Sequence, residues 1–134
     1  MTDIQRRLQR LEGVKKAARD ALKVLDTVDV KAHIAPIYHE LHEDIQRGEH
    51  KIFNLPGGRG SAKSSFASLE VVDGIMQDPT GQTNAIVFRL YGNTLRDSVF
   101  SQISWAIDAL GVDHLWESKL TPMQYTFKPT GATI

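Results

Sequence analysis

Nine consecutive residues, Gly57-Gly58-Arg59-Gly60-Ser61-Ala62-Lys63-Ser64-Ser65, combine the types and spacing that bind phosphate. They nearly match the pattern G-x-x-x-x-G-K-[ST], with Ala62 where the second glycine is expected. Small residues let the backbone wrap around a triphosphate and turn its N–H groups inward as a nest for an anion. In such a loop Lys63 reaches the β- and γ-phosphates of ATP, and Ser64 ligates the accompanying Mg2+. Gly57, Gly58, Gly60, Ser61, Ala62 and Ser65 complete the cradle. The methyl group of Ala62 is tolerated if the local backbone keeps φ negative. Arg59 has two readings: a guanidinium that senses or stabilises the γ-phosphate, or an exposed loop residue. The competing reading of the whole segment is a glycine-rich turn with an accidental Lys-Ser pair.

The elements that position the loop follow from periodicity. Lys51-Ile52-Phe53-Asn54-Leu55 is strand-like and ends at Pro56-Gly57-Gly58. From Ser64 the spacing turns helical, with Phe66, Leu69, Val72, Ile75 and Met76 as the buried face, and Pro79-Thr80-Gly81 breaks it. The positive end of this helix faces the loop. Ala85-Ile86-Val87-Phe88-Arg89-Leu90 is a continuous apolar run that reads as a buried strand. Thr94 to Leu110 is helical again, with Leu95, Val99, Ile103, Ala106, Ile107 and Leu110 on one face and Gly111 closing it. Residues 123–134 read as a hairpin turning at Pro129-Thr130-Gly131, its second strand short. Strand, helix, strand, helix implies an α/β fold, a parallel sheet covered by helices, as in P-loop NTPases.

Upstream, Ile4, Leu8, Leu11, Ala18, Leu22 and Leu25 define an amphipathic helix. Lys15 interrupts a strict heptad seam, which favours a helix packed on its neighbour over a long coiled coil. A second helix carries Ile34, Ile37, Tyr38, Leu41 and Ile45 and stops at Gly48. The boundary expected near Gly48 separates a helical N-terminal region, residues 1–48, from a partial P-loop ATPase domain, residues 49–134.

The chain has 134 residues, zero formal net charge, 41% hydrophobic and 24% charged residues, and no cysteine. That balance excludes disorder, disulfide scaffolds and thiolate metal sites. No apolar run approaches the roughly 20 residues that span a bilayer, and no signal core is present, so a soluble, cytoplasmic protein is expected. Residues 1–23 carry seven basic side chains against three acidic ones, an excess of four. Such an end touches nucleic acid or an acidic partner, or is a solvated helix face.

The run from Phe53 to Ser65 resembles the ATPase loop of PBSX-type phage terminase large subunits, whose Gly-Gly-Arg-Gly-Ser-(Gly/Ala)-Lys-Ser core accommodates Ala62. The likeness continues through Val87-Phe88-Arg89, Leu95-Arg96-Asp97-Ser98-Val99-Phe100 and Ala109-Leu110-Gly111 to Thr130-Gly131-Ala132-Thr133-Ile134. It covers the chain from about Ile34 onward. Terminase large subunits are ATP-driven motors that package double-stranded viral DNA into procapsids, and a C-terminal nuclease domain cuts the DNA. The resemblance implies Lys63 and Arg59 as catalytic residues, the loop as the ATP and Mg2+ site, and portal protein and small terminase subunit as partners. It also implies a homo-oligomeric ring for the full-length protein, acting in the host cytoplasm at the portal.

One part of that pattern is missing. An ATPase of this class needs an apolar strand ending in Asp-Glu, to hold magnesium and activate water. Leu69-Glu70-Val71-Val72-Asp73 and Ala106-Ile107-Asp108 both fall in helical patterns, and no carboxylate cluster for a nuclease is present. The expectation is an N-terminal portion of a terminase motor that hydrolyses little or nothing by itself. A nucleotide-binding assembly module and an unrelated P-loop NTPase, helicase-like or kinase-like, are the alternatives. Arg89 and Arg96 contact nucleotide, act in a neighbouring subunit, or pair with surface carboxylates. His39 and His42 lack zinc-hydrolase spacing and read as part of a solvated acidic face. Trp105 and Trp116 stack on bases or pack in the core.

Overall fold

The computed structural model describes residues 1–90, 92–94 and 96–134. Leu95, which the spacing assigns to a helix, lies outside the described residues. Helix α1 (Asp3–Leu25) begins with a capping box: the Thr2 hydroxyl accepts from the Gln5 N–H at 3.3 Å, and the Thr2 N–H donates to the Gln5 side chain at 2.9 Å. Asp3 in its first turn and Lys23 in its last complement the helix dipole. Only its C-terminal end is anchored, through Val24, Leu25 and the following Val28. Ile4, Leu8, Leu11 and Val14 are each more than half exposed. The expected packing on a neighbour therefore fails for the N-terminal half of α1.

Two single turns, Val30–His33 and Pro36–Tyr38, lead into α2 (His39–Arg47), which Gly48 ends in the left-handed conformation. Helix α3 (Lys63–Met76) buries Phe66, Leu69, Val72, Ile75 and Met76, the face that its spacing predicts. Each of these large side chains contributes about 1.5–3 kcal/mol by burial. A turn at Arg96–Phe100 opens α4 (Ser101–Ala109), which buries Ile103, Ala106 and Ile107 against α3. The core also takes in Val30, Ile34, Trp116, Tyr125 and Phe127.

The sheet departs from expectation. Among the described residues it has three antiparallel strands, β1 (Trp116–Leu120), β2 (Met123–Phe127) and β3 (Ala132–Thr133), in the order β1-β2-β3. Trp116 pairs with Phe127, and Phe127 with Ala132. The β2–β3 hairpin is the one read from sequence, whereas β1 escaped it. The runs at 51–55 and 85–90 join no ladder, so no parallel sheet is formed among the described residues. A strand exists only where a neighbour's backbone meets its N–H and C=O groups. Ala85 donates to the Thr133 carbonyl at 2.9 Å, while Ile52, Ile86, Phe88 and Leu90 remain exposed.

Polar contacts fasten α2 to α3. His42 Nδ1 bonds a Glu70 carboxylate oxygen, and both side chains are buried. Gln46 donates to Asp73 at 3.2 Å, and Gln77 to the other oxygen of Asp73 at 3.1 Å. His39 Nε2 lies 3.2 Å from the Lys31 carbonyl oxygen. The solvated acidic face expected around His39 and His42 is thus corrected for His42, which lies between helices. Among the described residues, no group of three His, Cys, Asp or Glu side chains is placed to hold a metal.

Candidate phosphate-binding loop

Residues 57–65 enclose a hollow of about 510 Å³ at the start of α3. Its shape depends on side chains that are missing. A Cβ at Gly57, whose φ is +156°, would lie 2.9 Å from the Ser61 hydroxyl oxygen. Lys63 folds back over the loop, its Nζ donating to the carbonyls of Gly57 at 2.6 Å and Gly58 at 2.9 Å and to the Ser61 hydroxyl at 3.2 Å. This brings a positive charge to the mouth of the loop.

Beneath it, α3 begins without a side-chain cap and without an acidic residue in its first turn. No capping side chain or carboxylate of that turn therefore offsets the positive end of the helix dipole. Ser64 is exposed beside Lys63, and Arg59 is exposed in the same loop. The site residues expected from sequence are thus brought together in one concave segment.

Ala62 corrects the expectation made for it. Its φ is +58° and ψ 12°, in the left-handed region. A side chain there costs about 1–2 kcal/mol relative to the right-handed region, a cost that glycine avoids. Ala62→Gly is therefore expected to stabilise the chain by about 0.5–1 kcal/mol, offset in part by the entropy of an unfolded glycine. Thermal melts of the two proteins measure this, and a lowered midpoint would contradict the strain.

Sequence reasoning missed Tyr38. Its hydroxyl donates to the Ser61 carbonyl at 2.7 Å, and its ring stacks on Phe66 with centroids 4.6 Å apart. An isolated tyrosine before α2 carries no local signal of a partner 23 residues downstream. From the other side, Gln102 of α4 reaches the Ser65 hydroxyl at 3.5 Å.

A second hollow of about 550 Å³ opens from Ser64 between α3 and α4 and is bordered by Arg89, Gln102 and Trp105. Arg89 donates to the Ser98 hydroxyl, and no ion pair between Arg89 and a carboxylate occurs among the described residues. Trp105 is 41% exposed. Trp116 is buried against Phe127 at 5.2 Å, which removes it from base stacking. Glu70 and Asp73 turn toward α2, and Asp108 lies on α4.

The phage terminase large subunit family matches residues 49–134, and the chain belongs to that family. It is similar to the terminase large subunit of Bacillus phage SPP1, with 35% identity over 107 residues. That stretch is 80% of this chain and 25% of the SPP1 protein, so the chain spans about a quarter of that curated relative. No solved structure matches the chain. No helix among the described residues is long and apolar enough to cross a membrane.

Proposed function

We propose that the chain is the ATP-binding N-terminal portion of a PBSX-type terminase large subunit, the motor that drives double-stranded viral DNA into procapsids. The observation that carries this reading is the loop at 57–65, with Lys63 curled over it and the uncapped start of α3 beneath. Gly57 N–H, its neighbours and Lys63 would hold the phosphates of ATP, and Ser64 the Mg2+ that travels with them. Arg59 would stabilise charge on the γ-phosphate. The bound metal supplies charge neutralisation at the phosphates.

In this reading residues 49–134 are part of a P-loop ATPase domain and residues 1–48 its helical extension. The exposed apolar side chains Ile52, Ile86, Phe88 and Leu90 fit a surface that a parallel sheet would bury. Portal protein, small terminase subunit and a ring of identical subunits are the partners proposed for the whole protein, acting in the host cytoplasm.

Equilibrium titration of the chain with Mg-ATP tests the reading directly. Saturable binding that inorganic triphosphate displaces is expected, and no binding of either would overturn it. Turnover is a separate matter. Glu70 and Asp73 are committed to α2, so neither faces the loop to orient water, and general-base assistance is lost. Residues 1–134 are expected to show no steady ATP hydrolysis, and the longer protein to restore it in an Arg59-dependent way. A phosphate-release assay decides this, with robust Mg-dependent turnover by the 134-residue chain as the contrary result.

A further inference from the structure

The carbonyls of Gly57, Gly58, Ser61 and Ala62 all accept hydrogen bonds, and their donors differ in where they come from. Lys63 serves the first two, and the Phe66 N–H serves Ala62 at 2.9 Å. Both of those donors belong to α3. The Ser61 carbonyl instead takes the Tyr38 hydroxyl at 2.7 Å, from a turn 23 residues upstream. That hydroxyl is itself held in place. The Tyr38 ring lies 11° from parallel with the buried Phe66 ring, their centroids 4.6 Å apart. The Tyr38 N–H donates to the Ala35 carbonyl at 2.9 Å, which fixes the backbone end of the side chain.

This bond decides which way one peptide faces. Across a planar trans peptide, the C=O of one residue and the N–H of the next point in opposite directions. Ser61 and Ala62 line the hollow at the start of α3, whereas Tyr38 stands outside it. Drawing the Ser61 carbonyl toward Tyr38 therefore turns the Ala62 N–H toward the hollow. Among the described residues that N–H donates to no backbone carbonyl. Ala62 also sits at φ +58°, a conformation that persists only where surrounding contacts over-determine it. A left-handed residue beside right-handed ones is the backbone form that gathers N–H groups into an anion nest. The geometry points to Tyr38 as a positioning residue: its hydroxyl holds the Ser61–Ala62 peptide so that the N–H faces the phosphate chain of a bound nucleotide. The inference rests on nucleotide binding at this loop and adds to it a determinant from outside the loop.

Calorimetric titration of the 134-residue chain with Mg-ATP and, separately, with inorganic triphosphate tests it. Tyr38→Phe keeps the stacked ring and removes only the hydroxyl. It is expected to weaken both ligands by the same factor, about three- to tenfold, the contribution of one hydrogen bond. Glycine at position 62 needs no support at positive φ, so in the Ala62→Gly background the same change should cost less than about twofold. A tyrosine that only fills the core would produce neither the equal loss for triphosphate nor the dependence on residue 62. Wild-type affinity in Tyr38→Phe would overturn the inference and leave nucleotide binding in place. So would a loss confined to ATP, which would make Tyr38 a contact of the base, or a loss undiminished by Ala62→Gly. Failure of the wild type to bind either ligand would remove the nucleotide reading, and this inference with it.

Discussion

Lys63→Ala is expected to remove most ATP binding from the chain. A charge-assisted hydrogen bond to phosphate contributes about 1.5–3 kcal/mol. Its loss corresponds to roughly 10- to 150-fold in affinity. The same substitution deletes three donations that hold Gly57, Gly58 and Ser61. Two of those bonds are exposed and the third, to Ser61, is half-buried, so water can replace most of them and fold stability should change far less than affinity. Titration with Mg-ATP alongside thermal melts separates the two effects. Equal affinity in wild type and Lys63→Ala would remove the loop from the proposed site and leave the family membership untouched.

The largest expected loss of stability lies elsewhere, at His42. The Glu70 side chain is only 8% exposed, and its second carboxylate oxygen, Oε2, is buried without a hydrogen-bond partner among the described residues. Burial raises the Glu70 pKa above the ordinary carboxylate range, and the hydrogen bond and charge of His42 pull it partly back. Removing one member of a buried pair typically costs about 3–5 kcal/mol. His42→Ala is expected near the lower figure, a fall of roughly 10 °C in melting temperature.

The sign of the pH dependence follows from the raised value. Stability linked to protonated Glu70 is complete below the unfolded carboxyl pKa and is lost as pH rises through the folded one. The penalty for His42→Ala should therefore be smallest in acid and grow toward neutrality. Glu70→Gln in the His42→Ala background should recover much of the loss and flatten its pH dependence. A pH-independent penalty, or no recovery in the double variant, would show that packing alone sets the effect.

The glycine-rich loop at the start of α3, and α3 itself, were legible in the sequence because both are local. Glycine chemistry marks the loop, and the spacing of Phe66, Leu69, Val72, Ile75 and Met76 marks the helix. The hairpin at β2 and β3 was legible for the same reason, through its Pro-Thr-Gly turn. Strand β1 was not, since Trp116 is its one buried residue and no alternation survives in Trp116–Leu120. The runs at 51–55 and 85–90 show the converse limit. Their composition suits strands, but pairing is decided by neighbouring backbone and not by the run itself. His42 was misplaced because its partner, Glu70, lies 28 residues downstream. The condition set for Ala62, a negative φ, is not met, because residue type alone does not encode the sign of φ.

Tyr38 has a further consequence for how the molecule opens. Its ring covers Phe66 in the core, while its hydroxyl holds the Ser61 carbonyl in the glycine-rich loop. Unwinding the turn at Pro36–Tyr38 thus bares core surface and releases the loop in the same event. Local openings in proteins follow such cooperative blocks more than single hydrogen bonds. Backbone exchange with solvent in the turn before α2 and in the loop around Ser61 is accordingly expected to follow one shared fluctuation, although the two segments are separated by 23 positions in the chain.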